Sequence, residues 1–90
     1  IDSKILLSEV MKKIRKKGYE VSNLDSTICL QNPKINKYIK EMKSVLSKCM
    51  NIESDLISIK ATTGEKIGFI GREEGVTAYC SVLLYKAIIK

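Results

Sequence analysis

Between residues 35 and 49 this chain carries the pattern that most restricts what it can become. Ile35, Tyr38, Ile39, Met42, Val45, Leu46 and Cys49 fall at i, i+3, i+4, i+7, i+10, i+11 and i+14. That spacing draws one apolar stripe along a helix, with Lys37, Lys40, Glu41, Lys43 and Lys48 away from it. A helix with a single apolar face must bury it against another layer, so the flanking segments have to supply one.

The flanks read accordingly. Asp2 and Ser3 can cap an earlier helix whose apolar positions include Leu6, Val10 and Ile14, with Leu7 and Met11 beside them. Lys12, Lys13, Arg15, Lys16 and Lys17 suit its C-terminus through the macrodipole, and Gly18 ends it. Ile14 interrupts that basic run at core spacing, which favours a solvated helix face over a nucleic-acid patch. Tyr19 to Gln31 follows as a strand rich in β-favouring side chains, closed by Asn32 and Pro33. Leu56 to Thr62 alternates as a second strand, with Ile57, Ile59 and Ala61 on one face. Val76 to Ile89 reads as a closing strand, although its VLLYKAII portion also suits a helix. The order helix, strand, helix, strand, strand predicts an α+β two-layer sandwich, helices packed on one face of a mixed sheet.

At 90 residues the chain is one domain or part of one, and its core is small. No apolar run approaches the roughly 18 residues of a membrane span. Sixteen Lys and Arg against ten Asp and Glu give a net charge of +6, which favours anionic partners without choosing among them. Cys29, Cys49 and Cys80 are widely spaced, with no CxxC and no His, so the chain alone offers no zinc ligand set. Three small buried thiols in a reducing compartment is the simplest expectation. The lack of His also removes the usual general base and the Ser-His and Cys-His nucleophile pairs.

One segment looks chemical. Lys60 to Gly75 ends a strand in Thr62 and Thr63, then continues through Gly64 and Glu65. Backbone amides near a glycine approach phosphate oxygens closely, and threonine hydroxyls add hydrogen bonds. A carboxylate beside phosphates commonly holds magnesium, and Arg72 offers a planar fork for a diphosphate. A plain glycine-rich loop with surface charges has the same composition. The stretch is neither a P-loop nor a dinucleotide fingerprint.

LLSEVMKKIRKKGYEVSNLDSTICLQNPKI followed by ISIKATTGEKIGFIGREEG resembles the 2-C-methyl-D-erythritol 2,4-cyclodiphosphate synthase family of the non-mevalonate isoprenoid pathway. The resemblance runs over residues 1–90 and keeps several spaced motifs in register. It implies the C-terminal part of a single synthase domain, with the N-terminal zinc-binding part absent from this chain. It also implies a homotrimer with active sites between subunits, in bacterial cytoplasm or an apicoplast-type plastid.

The chemistry it implies is a phosphorus–oxygen lyase reaction. The 2-phosphate of 4-diphosphocytidyl-2-C-methyl-D-erythritol 2-phosphate attacks the β-phosphorus, closing a cyclic diphosphate and expelling CMP. By position, Leu30, Gln31, Asn32, Pro33, Lys34, Ile35 and Asn36 resemble the cytidine pocket, and Ala61, Thr62 and Thr63 the strand end that closes on the nucleotide. Thr63 matches the hydroxyl that stabilises the reacting phosphates. Glu65 matches the carboxylate that holds magnesium or manganese. Phe69 and Arg72 resemble the lining of an axial cavity that takes isoprenoid diphosphates. Zinc is the second implied cofactor, its ligands lying in the absent part. Gly64 and Glu73 depart from the family pattern, one loosening the phosphate loop and the other placing a carboxylate beside Arg72.

Two other readings compete. A small basic α+β module for nucleic acid would explain the charge, but the chain has one Phe, no Trp and no aromatic platform for stacking bases. A trimerising fragment without catalysis is the other.

Overall fold

The computed structural model describes residues 2–30, 35–62 and 75–87. Five principal elements lie along them: α1 (Ser3–Lys16), β1 (Tyr19–Cys29), α2 (Ile39–Met50), β2 (Ile57–Thr62) and β3 (Thr77–Lys86). Short 3-10 turns at Asn36–Tyr38 and Ser54–Leu56 lead into α2 and β2.

Local chemistry sets the helix ends. Asp2 is extended, and its carboxylate accepts the Lys4 N–H at 2.8 Å, satisfying a donor that the first turn leaves without a partner. At the other end Gly18 has φ +87°, and its N–H donates to Arg15 O at 2.9 Å. Only glycine takes that left-handed conformation without a Cβ penalty. Asn51 does the same for α2 at φ 54°, while the Ser47 hydroxyl donates to Ile52 O at 2.5 Å.

The sheet has the order β2-β1-β3. β1 runs parallel to β2 from Leu24 opposite Ile57 to Cys29 opposite Thr62. β3 runs antiparallel to β1 from Tyr19 opposite Lys86 to Cys29 opposite Thr77, with an irregularity between Val21 and Asn23. Parallel neighbours need a crossover, and α2 is that crossover. The mixed sheet with helices on it is therefore the α+β arrangement expected.

The core forms where the helices meet one sheet face: Met11 from α1, Met50 from α2, and Val21, Leu24, Ile57 and Ile59 from the strands. Leu7, Ile14, Ile39, Met42 and Leu46 pack around it. Four expectations are corrected here. On α1 the buried line is Leu7, Met11 and Ile14, whereas Leu6 and Val10 are exposed. On α2 the stripe keeps Ile39, Met42 and Leu46 but loses Tyr38 and Val45 to solvent and adds Met50. Leu56 belongs to the 3-10 turn and not to β2, because its N–H donates to Glu53 O. Leu30 lies past the end of β1, and Val82 to Lys86 settles as strand. Neither Gln31 nor Ile89 lies within the described residues.

The expectation of three buried thiols also fails: all are free, Cys29 and Cys49 are half-buried, and Cys80 is exposed. The reason is β3. Register puts Cys80, Val82 and Leu84 on the same face as Ser26, Leu24 and Val21, which is the helix side. α1 packs on β1 and α2 on β2. β3 is left open, with Val82 48% and Leu84 40% exposed.

A polar clamp ties the layers together. Arg15 Nε donates to Glu20 Oε1 at 2.6 Å, and Arg15 Nη2 donates to Met50 O at 2.7 Å and Asn51 O at 3.1 Å. One guanidinium thus joins the end of α1, the start of β1 and the C-terminal carbonyls of α2. The hydrogen bond from Arg15 holds the Glu20 carboxyl below its ordinary pKa against the opposing effect of burial, aided by the Val21 amide and the guanidinium charge.

Candidate functional site

β1 and β2 are parallel and end level, Cys29 opposite Thr62. Ligands of sheets with parallel strands collect outside the carboxyl ends, where the chain leaves the ladder and frees its polar groups. One further bond holds this edge: Leu30 N–H donates to Thr62 O at 2.9 Å, beyond the last residue of β1. The chain returns at Ile35, whose carbonyl accepts the Tyr38 N–H at 2.8 Å to open the turn into α2. Five peptide steps keep Ile35 within about 18 Å of Leu30.

Leu30, Ala61 and Thr62 therefore meet at the carboxyl edge, and Ile35 and Asn36 follow it along the chain. Leu30, Ile35 and Ala61 are half-buried, and Asn36 and Thr62 are exposed to solvent. Ala61 pairs with Ile28, whose side chain packs on the core, so the strand end is anchored on one face and open on the other. Gln31, Asn32, Pro33, Lys34, Thr63, Glu65, Phe69 and Arg72 lie outside the described residues, as do Gly64 and Glu73.

On the sheet face away from the helices, Lys60 Nζ meets Asp25 Oδ2 at 3.3 Å. Both side chains are at least half exposed, so the pair contributes roughly 0–1 kcal/mol and mainly orders the approach to the edge. Sequence reading did not single out this pair, because the two residues are brought together only by the strand register.

A metal needs converging donors. Among the described residues no three His, Cys, Asp or Glu side chains converge, and the chain has no His at all. The described residues do not fit a zinc site of the usual N/S type.

The sequence and the fold both have counterparts among known proteins. The YgbB family model matches residues 1–85. The 2-C-methyl-D-erythritol 2,4-cyclodiphosphate synthase of Cytophaga hutchinsonii is 55% identical over 86 residues, which make up 96% of this chain and 54% of that protein. That of Phocaeicola vulgatus is 55% identical over 87 residues, 97% of this chain and 54% of that protein. The structure of IspF from Plasmodium falciparum in its CDP complex superposes with a TM-score of 0.93 at 32% identity, covering 97% of this chain and 56% of that one. The chain spans about half the length of the curated relatives it matches.

Proposed function

The chain belongs to the YgbB family, and on that premise we propose that it supplies the cytidine-nucleotide side of a 2-C-methyl-D-erythritol 2,4-cyclodiphosphate synthase. The observation that carries this reading is the edge where Leu30 is bonded to Thr62, because it fixes the two segments that would close on the nucleotide.

In the proposed reaction the 2-phosphate of 4-diphosphocytidyl-2-C-methyl-D-erythritol 2-phosphate attacks the β-phosphorus. The bond from that phosphorus to the bridging oxygen breaks, and CMP leaves with the electron pair. No side chain needs to form a covalent intermediate; the protein positions the reacting groups and stabilises their charge. Backbone groups from Leu30 through Gln31, Asn32, Pro33, Ile35 and Asn36 would read the cytosine edge, with Lys34 beside the ribose and phosphates. Ala61 and Thr62 would flank the nucleotide, and the Thr63 hydroxyl would donate to the phosphate oxygens.

Glu65 is a hard oxygen donor of the kind magnesium or manganese prefers, and such an ion would supply Lewis-acid polarisation of the diphosphate. No step is assigned to zinc, whose ligands this chain does not contain. Phe69 and Arg72 would line an axial cavity suited to an isoprenoid diphosphate, with Glu73 opposing the anion there.

Assembly into a homotrimer is part of the proposal. β3 supports it, since Ala78 to Lys86 is exposed throughout, including Tyr79, Leu83 and Tyr85 on the face away from the helices. Strand faces this apolar ordinarily lie in contact with another surface. A bacterial cytoplasm or a plastid is the proposed setting, drawn from bacterial and Plasmodium relatives. Among the described residues no helix is long and apolar enough to cross a membrane.

The test is CMP release by protein of full family length. Thr63→Ala and Glu65→Gln should each lower turnover about 100-fold, the usual loss for one transition-state contact. Undiminished turnover in both variants would remove the assignment.

A further inference from the structure

A groove of about 710 Å³ runs along the outer side of α2, lined by Asn36, Ile39, Lys40, Lys43, Ser44, Ser47, Lys48 and Ser54. We infer that it is a binding site for a small phosphorylated ligand; the groove touches the carboxyl edge of β1 and β2 at Asn36 and otherwise lies along α2.

Helical spacing builds the site. Residues 36, 40, 43, 44, 47 and 48 recur at three and four, so their side chains form one continuous strip down the helix. Ser54 closes the far end from the turn before β2. Ile39 and the lysine stems provide an apolar floor, and the ammonium groups stand at its rim. Its volume lies within the roughly 300–1,000 Å³ of ordinary small-molecule sites.

The donor set specifies the ligand's charge. Three ammonium groups, the hydroxyls of Ser44 and Ser54 and an asparagine amide can all donate, and among the described residues no carboxylate lines the groove. Ser47 is the exception, since its proton is committed to Ile52 O, leaving its oxygen as an acceptor. Lys40, Lys43 and Lys48 are in no ion pair among the described residues, whereas Lys12 and Lys60 are paired and Lys37 stands over the Tyr38 ring at 5.2 Å. Glu41, Glu53 and Asp55 are the nearest acids in sequence, and none of them lines the groove. Phosphate oxygens satisfy several such donors at once. Among the described residues no aromatic side chain lines the groove, which favours a compact anion over a nucleic-acid strand.

Inorganic pyrophosphate is the probe. It is titrated into the purified protein while backbone amide shifts are followed by NMR. Saturable shifts at Lys40, Lys43, Ser44, Lys48 and Ser54 are expected. Lys40→Ala/Lys43→Ala/Lys48→Ala should weaken binding at least about tenfold, a difference of roughly 1.4 kcal/mol. Lys4→Ala/Lys13→Ala/Lys16→Ala removes the same charge from α1 and should leave the affinity within about twofold if the contacts are specific. Ser44→Asp places a carboxylate in the groove and should abolish binding by a route independent of the triple variant. Equal losses in both triple variants, shifts confined to Leu30 and Thr62, or no saturable binding would each overturn the inference. CDP affinity measured on the same variants separates this site from the proposed nucleotide edge, whose failure would leave the pyrophosphate result standing.

Discussion

Replacing Arg15 by Ala should loosen the grip of α1 on the C-terminus of α2, and the cost can be worked from its partners. Three acceptors lose a charged donor: the Glu20 carboxylate, Met50 O and Asn51 O. The Glu20 side chain is 29% exposed and Asn51 is exposed, so water replaces much of what they lose, at about 0.5 kcal/mol each. Met50 is only 3% exposed, and its carbonyl is left poorly solvated, at about 1–2 kcal/mol. The sum is about 2–3 kcal/mol. For a domain of this size it corresponds to a melting temperature lower by roughly 10–20 °C.

The assay is thermal unfolding followed by circular dichroism, run with Glu20→Gln and the double variant so that the coupling is isolated. The pH dependence follows from the direction of the Glu20 shift. Its carboxyl is held down in the folded state by the Arg15 hydrogen bond, so its stabilisation is complete above the unfolded value of about 4.3. It is lost as pH falls through the lower folded value, where the native protein and Glu20→Gln should converge in stability. A drop of less than about 3 °C for Arg15→Ala, or no coupling to Glu20, would refute the reasoning.

Other perturbations have expected outcomes of their own. Ile57 is 2% exposed at the centre of the core, so Ile57→Ala should cost about 2–5 kcal/mol by denaturant unfolding. Gly18→Ala places a Cβ in open space but at φ +87°, so a purely conformational cost of about 1–2 kcal/mol is expected by the same measurement. Titration with CMP and UMP in parallel should show tighter binding of CMP if backbone groups of the turn read the cytosine edge, and equal affinities would count against that recognition.

Much of this architecture is legible in the residues, and the exceptions have physical causes. Alternation of Ile57, Ile59 and Ala61 fixes which face of β2 is inward, because a strand has only two faces. α1 carries Ile5, Leu6, Leu7, Val10, Met11 and Ile14, an arc too wide to say which part a neighbouring layer covers. The choice of Leu7, Met11 and Ile14 is made by the positions of β1 and α2, a tertiary fact. Arg15 sits in a basic run that reads as solvated, and nothing local reveals carbonyls 35 and 36 residues downstream. At the site, the ATT strand end and the turn after β1 are visible as motifs, whereas their meeting through Leu30 and Thr62 depends on strand register.

The most direct test of the nucleotide-binding proposal is an amide-shift map of CDP binding to this protein. Saturable shifts concentrated at Leu30, Ile35, Asn36, Ala61 and Thr62, with the α1 residues unmoved, are the predicted result. Saturable binding that shifts other residues while leaving Leu30 and Thr62 still, or no binding at all, would contradict the assignment of the carboxyl edge as the nucleotide site.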